Sequence, residues 1–373
     1  MKKERESNFE LMRIVSMVFI ILWHVIGHGK ILENSQNPAI DTIFGFLKHV
    51  IIVHVNSFVL ILGFFQCRSK VKPSKVVSLI FQTIFYSIVI FFALYKLGFI
   101  DNINFTLIMN VLIPFSSVDY WFISSYLLVY ILSDYINMFL MSLSKKHLKK
   151  LIIICFGMFC IIPFITGMRF INNNGYNFYH FIFVYIVGVY LYRYPLKESF
   201  LFSKISIKSY RLILLFIFFL CASYNYFLYD FAVNHFYNNG QVFNYISSVI
   251  LLSLGSYASP IVIVQSISYF EFFRTLCIKS KIINYISSCV FGIYLFHENT
   301  YLKPILYKLL LIDDGTFYGR RIFLYVFIAV IIIFVVGLLI EIIRKILVKL
   351  ISKTHLYKKL RFKFYNYIKS LNG

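Results

Sequence analysis

The chain has 373 residues, of which 60% are hydrophobic, 20% aromatic and only 14% charged. A soluble protein of this length usually carries about 25% charged residues, because its surface must stay hydrated. The composition therefore excludes an ordinary water-soluble enzyme. Apolar runs of about 20 residues recur along the chain, each long enough to cross a hydrocarbon core of about 30 Å as a helix. We expect a polytopic membrane protein.

The apolar runs predict an all-α transmembrane helix bundle of about ten spans. The eighth run is long enough to be tilted, broken or partly interfacial, and residues 303–312 are a candidate re-entrant segment. In chain order, the predicted spans are residues 9–27, 44–65, 76–94, 119–140, 148–165, 178–194, 210–228, 242–270, 282–297 and 321–343.

The basic residues predict which side of the membrane holds the termini. With ten spans, 28 of the 37 Lys and Arg residues lie on the side of the termini and eight on the other. Because cytoplasmic loops carry excess Lys and Arg, both termini are predicted to be cytoplasmic. The formal net charge of +22 is then mostly a topology signal, and no nucleic-acid partner is expected. We divide the chain into a membrane domain, 1–345, and a basic tail, 346–373, that can rest on the lipid bilayer.

Ionisable side chains within the first span are the strongest candidates for function, since each costs a few kcal/mol on insertion scales. Arg13 and His24 are eleven positions apart. This spacing places them on one helix face, separated by about 16 Å along the axis. Two alternatives stay open: Arg13 could snorkel to the headgroups beside Glu10, and His24 could be an interface histidine.

Other patterns are less informative. His54 and Asn56 lie within the second span, where they either line the same pocket or bridge helices by hydrogen bonds, the commoner use. The chain has no Gly-x-Ser-x-Gly, Walker or His-Glu-x-x-His motif, and its six cysteines form no Cys-x-x-Cys pair. The sequence therefore gives no support to a serine hydrolase, a nucleotide hydrolase or a zinc site.

Four segments, in order, resemble the acyltransferase-3 family of integral membrane acyltransferases. In the first, which opens at residues 8–14, Arg13 and His24 match the family's pattern of Arg or Lys, ten residues, then His. The second segment is 59–65, which resembles the exit from the family's second helix. The other two are residues 120–137, with Tyr120-Trp121-Phe122, and residues 287–298, with His297-Glu298. The second intracellular link departs from the family, because it lacks a clean Arg-x-x-Arg pair.

The resemblance implies transfer of an acyl group, most often acetyl, from cytoplasmic acyl-coenzyme A to a hydroxyl of a glycan or lipid at the outer face. Acetyl-CoA is then a donor substrate, and no permanently bound cofactor is expected. Arg13 is implied as a catalytic and donor-binding residue, and Arg68, Lys70 and Lys72 as further cations for the donor phosphates. Simple positive-inside loops are the alternative for the lysines.

The resemblance also implies roles for residues near the outer face. Neutral His24 is the expected general base, because a neutral imidazole accepts a proton at physiological pH. Glu298 is the first candidate for the carboxylate that assists it, and Asp119 the second. His297 is either a helper or a structural group. Tyr120 and Trp121 either form a platform for a sugar ring or belong to the aromatic belt.

These observations predict an O-acyltransferase of a surface or capsular polysaccharide, or of its lipid-linked precursor, in a bacterial plasma membrane. Its partners would be acyl-CoA, the saccharide and the lipid bilayer, with a homo-oligomer left open. The alternative is a glycan polymerase or flippase without acyl transfer. A transporter built on inverted repeats is not supported, because no such repeat is visible.

Overall fold

A computed structural model describes residues 5–35, 37–116, 120–167, 173–236, 254–310 and 321–353. All regular secondary structure in these residues is helical, which confirms the predicted all-α bundle. The main helices are α1 (Ser7–His28), α2 (Ile31–Asn34), α3 (Pro38–Ile51), α4 (His54–Gln66), α5 (Pro73–Lys96), α6 (Phe105–Leu112), α7 (Trp121–Ser142), α8 (Lys145–Phe156), α9 (Ile162–Thr166), α10 (Phe178–Arg193), α11 (Ile207–Phe236), α12 (Pro260–Arg274), α13 (Lys281–Ser287), α14 (Val290–His297), α15 (Leu302–Leu309) and α16 (Arg321–Ile351).

Seven stretches of the described chain are long and apolar enough to cross a membrane. They are Ser7–Glu33, Pro38–Gln66, Pro73–Lys96, Trp121–Ser142, Lys145–Thr166, Ile207–His235 and Arg321–Ile351, and a shorter apolar helix covers Phe178–Arg193. The protein is therefore a multi-pass helical bundle. The count of ten spans and the cytoplasmic termini stay predictions.

Three of the predicted spans are interrupted, and the interruptions position the polar residues. The second span is divided at Ile52 and Val53 between α3 and α4. Residues 242–253 of the eighth lie outside the described residues; α12 begins at Pro260, because residues 255–259 are non-helical and proline is favoured in the first helical turn. The ninth is divided at Ser288 and Cys289 between α13 and α14.

Two glycines allow a close contact between helices in the bundle core. Gly63 of α4 and Gly188 of α10 face each other, and a Cβ atom added at Gly188 would lie 2.6 Å from the carbonyl oxygen of Leu60. Small residues let helix backbones approach closely in this way. Helix α4 is thereby fixed at the centre, where it also packs against α1 and α12.

The long helix α16 runs through the predicted boundary between the membrane domain and the tail at residue 345, and ends at Ile351. Near its end, buried Glu341 forms an ion pair with Arg344 at 2.7 Å and accepts a hydrogen bond from Tyr86 at 2.8 Å. The rest of the predicted tail, from residue 354, lies outside the described residues.

Candidate functional site

His24, in the last turns of α1, meets two consecutive ionisable residues at the end of α14 that lie 273 or more positions later in the sequence. Nδ1 of His24 lies 2.9 Å from Oε1 of Glu298 and 3.2 Å from Nε2 of His297. His297 is fully buried and Glu298 nearly so, whereas the side chain of His24 is 18% exposed. We call these three residues the histidine–glutamate group, and the part of the bundle that holds them the His24 end.

The hydrogen bonds of His297 determine which nitrogen of His24 carries a proton. Nδ1 of His297 donates to the carbonyl oxygen of Ile293 at 2.7 Å. In a neutral imidazole the other nitrogen is an acceptor, so Nε2 of His297 accepts from Nδ1–H of His24. In this tautomer, Nε2 of His24 holds the lone pair. None of the described residues hydrogen-bonds to that atom.

Glu298 is surrounded by groups that can carry positive charge. Besides His24, Nε2 of His28 lies 3.6 Å from its Oε1 and Nζ of Lys303 lies 3.8 Å from its Oε2. Burial alone would raise the pKa of Glu298, but His24 and His28 hold it well below its usual range. Its Oε1 has no aligned hydrogen-bond donor among the described residues, so it acts on His24 as a nearby charge.

The histidine–glutamate group also fits a small cation. Each residue offers one ligand atom, and these atoms lie within 4.8 Å of one another. Two imidazoles and a carboxylate are a common donor set for divalent metals. A cation would have to displace the proton on Nδ1 of His24 and break its hydrogen bond to His297. Because Nδ1 of His24 already lies at 3.2 Å from His297 and 2.9 Å from Glu298, the hydrogen-bonded form is favoured over a bound cation.

Four aromatic rings from different parts of the chain form a cluster that includes Trp23, the residue before His24. Tyr176 lies 4.6 Å from Trp121 and 5.0 Å from Tyr257, and Tyr257 lies 6.3 Å from Trp23, measured between ring centroids. Burial raises the pKa of Tyr176, so its hydroxyl stays protonated at neutral pH. Trp121 thus belongs to an aromatic cluster that reaches the residue preceding His24, as a sugar platform would require.

Tyr120, by contrast, is fully buried and has a structural position. Its hydroxyl donates to the carbonyl oxygen of Leu295 at 2.9 Å and accepts from the amide of Asn299 at 3.3 Å. These bonds fasten the chain before α7 to α14. Asp119, the second candidate carboxylate, lies outside the described residues.

His54 and Asn56 bridge helices by hydrogen bonds, which is the second of the two uses considered for them. Nε2 of His54 accepts from the hydroxyl of Tyr257 at 3.1 Å, since its Nδ1 donates to the carbonyl oxygen of Ile51. The Asn56 amide donates to the carbonyl oxygen of Tyr257 at 2.9 Å, and its oxygen accepts from Nε2 of His180 at 2.8 Å. This network fixes Tyr257 beside Trp23.

Arg13 lies at the opposite end of α1, which we call the Arg13 end. The structure does not bring it next to His24. Its guanidinium forms an ion pair with Glu10 at 2.8 Å, and the other oxygen of Glu10 accepts from the hydroxyl of Ser287. Its side chain is 31% exposed and uses one of its donors in that pair, so other N–H groups are available.

The loop after α4 holds the remaining predicted cations. Arg68 pairs with Glu6 at 3.0 Å and lies over the ring of Phe65 at 4.7 Å, while Lys70 and Lys72 are exposed. The loop backbone is held by α7. The carboxylate of Asp134 accepts from the N–H of Val71 at 2.9 Å, and the hydroxyl of Tyr130 from that of Lys72 at 3.1 Å.

Sequence reasoning missed several residues of the site. His28 lies one helical turn after His24, so the helix period alone could have placed it near the same partners. Tyr176 and Tyr257 carry no such signal, because their place depends on how distant segments pack.

A family model described as an acyltransferase domain, that of acyltransferase family 3, matches residues 6–342. Neither the curated proteins nor the solved structures provide a match. The matched range covers nearly the whole chain and includes both the His24 end and the Arg13 end.

Proposed function

The chain belongs to the acyltransferase-3 family, as its sequence motifs predicted, and we propose that it O-acetylates a surface or capsular polysaccharide, or a lipid-linked precursor of one. Membership makes it a membrane enzyme that transfers acyl groups other than amino-acyl groups. A polymerase or flippase without acyl transfer is therefore set aside. The proposed donor is acetyl-CoA on the cytoplasmic side of a bacterial plasma membrane.

The observation that best supports this proposal is the orientation of His24. His297 and Glu298 hold its Nδ1 side at 3.2 and 2.9 Å, which leaves the lone pair of Nε2 for a substrate hydroxyl. A base held by a second group in this way is the arrangement that activates hydroxyl nucleophiles in many acyl transfers.

The proposed reaction needs only these groups and the two substrates. Nε2 of His24 takes the proton of the acceptor hydroxyl while the oxygen attacks the thioester carbonyl. The carbon–sulfur bond then breaks, and the coenzyme A thiolate takes the proton from the imidazolium. Glu298 stabilises that imidazolium as an adjacent anion, and His297 keeps the ring orientation.

The two ends of α1 suit the two parts of the donor. Coenzyme A carries several phosphate charges, and the Arg13 end presents Arg13, Arg68, Lys70 and Lys72. His24 lies about 16 Å along the helix from Arg13. The extended pantetheine arm would join phosphates bound at one end to a thioester held at the other.

The test is mass analysis of surface glycans from cells that have the gene, lack it, or carry His24→Gln. We expect an acetyl group that is present in the first cells and missing in the other two. Unchanged acetylation in cells without the gene would contradict the proposed acceptor class. Full acetylation with His24→Gln would contradict the proposed base.

A further inference from the structure

A cavity of about 140 Å³ lies beside the residue that precedes His24. None of the three members of the histidine–glutamate group lines it, so it is separate from the reacting nitrogen. Two glycines are among its lining residues, and a Cβ atom added at Gly45 would lie 3.0 Å from the ring of Tyr226. Its walls include Trp23, Gly45, Lys48, His49, Tyr229 and Gly255.

The cavity contains a cation with no anionic partner. Nζ of Lys48 lies 4.8 Å above the ring of Trp23, and the side chain is partly buried. Among the described residues, none forms an ion pair or hydrogen bond with it. Glu33, whose charge acts on Lys48, is exposed on α2 and does not reach ion-pair distance. A partly buried ammonium in a cavity is well placed to bind an anion from outside the protein.

We propose that this cavity binds the carboxylate of an acidic sugar, so that the enzyme prefers an anionic saccharide as its acceptor. The inference rests on the proposed function, which supplies the saccharide. Trp23 lines the cavity and is adjacent to His24 in the chain. The cavity and His24 thus lie on the same stretch of α1, so a saccharide chain whose acidic sugar is held at Lys48 can extend from the cavity towards His24.

The chemistry of the walls favours a sugar over a lipid. Trp23 and Tyr229 offer ring faces together with N–H and O–H groups, and His49 adds a third ring. Such surfaces combine apolar contact with polar tips, as a sugar requires. Leu32 and Ile52 also line the cavity, but its volume of about 140 Å³ is too small for the acyl chains that accompany a lipid phosphate.

Tryptophan fluorescence can report binding directly, because the chain has two Trp residues. In a Trp121→Phe protein, which keeps an aromatic ring at that position of the candidate sugar platform, Trp23 is the remaining tryptophan, and the Lys48 ammonium lies over its ring. Purified protein would be titrated with methyl glucuronide and with methyl glucoside. We expect a saturable change with the glucuronide and affinity weaker by about tenfold or more for the glucoside, since a charge-assisted contact is lost.

Two further variants of the Trp121→Phe protein test whether the charge of Lys48 causes the preference for the glucuronide. Lys48→Gln should abolish the preference for the glucuronide, whereas Lys96→Gln, which removes an exposed lysine from the end of α5, should keep it. Equal affinity for the two sugars, or an unchanged preference in Lys48→Gln, would overturn the proposal. So would a Lys48-dependent change produced by a short-chain phosphatidate but not by the glucuronide.

Kinetics separate this inference from the proposed function. Lys48→Gln should raise the KM for an acidic acceptor by about tenfold and leave kcat unchanged, because the contact is made before and during the reaction. Acetylation of acidic and neutral acceptors with equal KM would overturn the inference alone. Glucuronide binding that persists in His24→Gln, without turnover, would support the inference independently of the reaction.

Discussion

The two ends of α1 differ in how their charged residues are held. At the His24 end, His297 and Glu298 are buried and lie within 3.2 Å of one nitrogen of His24. At the Arg13 end, Arg13 and Arg68 each pair with a glutamate of their own, and Lys70 and Lys72 are exposed.

This difference predicts how each end responds to mutation. A fixed, buried group works as a unit, so removing one member affects the others. Exposed cations act together through their charge, which is screened by salt, so removing one has a small effect. The His24 end should therefore be sensitive to single substitutions and the Arg13 end tolerant of them.

The largest effect is expected for His24→Ala. Loss of the general base should lower kcat by about 10²- to 10⁴-fold while donor binding stays near that of the wild type. Acetyl transfer per folded molecule in membranes measures it. His147→Ala, an exposed histidine at the start of α8, is the control and should keep full activity. Equal activities of the two variants would remove His24 from the mechanism.

Glu298→Gln should lower kcat by about 10- to 100-fold, because the imidazolium loses its adjacent anion. The carboxylate of Glu298 is ionised at neutral and mildly acidic pH, since its pKa lies well below the usual range. The loss should therefore be present across this whole pH range. Glu198→Gln, at an exposed residue after α10, is the matched control and should keep full activity. Equal activities of the two variants would contradict this role.

His297 should show a smaller effect that depends on the replacement. Phe fills similar space but cannot accept from Nδ1–H of His24, so kcat should fall by about tenfold. Gln offers an amide oxygen as the acceptor and should retain more activity than Phe. Equal losses in both variants, at equal protein levels, would indicate that His297 is only a packing residue.

The smallest effects belong to the Arg13 end. Arg13→Gln should raise the KM for acetyl-CoA by about three- to fivefold, and Lys70→Gln by less, because each supplies part of a shared charge. Higher salt should raise the wild-type KM in the same direction. A loss of kcat in Arg13→Gln as large as that in His24→Ala would contradict the contrast between the two ends.

The helix period was enough to relate Arg13 and His24. Both lie on the continuous helix α1, so eleven positions translate into one face and a defined distance. His297 and Glu298 were singled out through the resemblance to a family. Their contact with His24 could not be computed from spacing, since it depends on how α14 packs against α1 over 273 residues of separation.

The interruptions of the helices were the least predictable features. Hydropathy cannot distinguish a continuous apolar span from one divided at Ile52 and Val53, because both halves are equally apolar. Yet the division lets His54 reach Tyr257 and so positions the aromatic cluster. Tyr120 lies at the end of a predicted span, where an aromatic residue is expected at the membrane surface or in a sugar platform. It is instead buried and hydrogen-bonded to Leu295.

The most direct test of the central claim is the rate of acetyl transfer by His24→Gln, normalised to folded protein. Glutamine has similar bulk and can hydrogen-bond to His297 and Glu298, but it cannot take a proton from a hydroxyl at neutral pH. We predict turnover nearly as low as in His24→Ala, with acetyl-CoA binding unchanged. Turnover close to that of the wild type would contradict the claim that Nε2 of His24 is the general base.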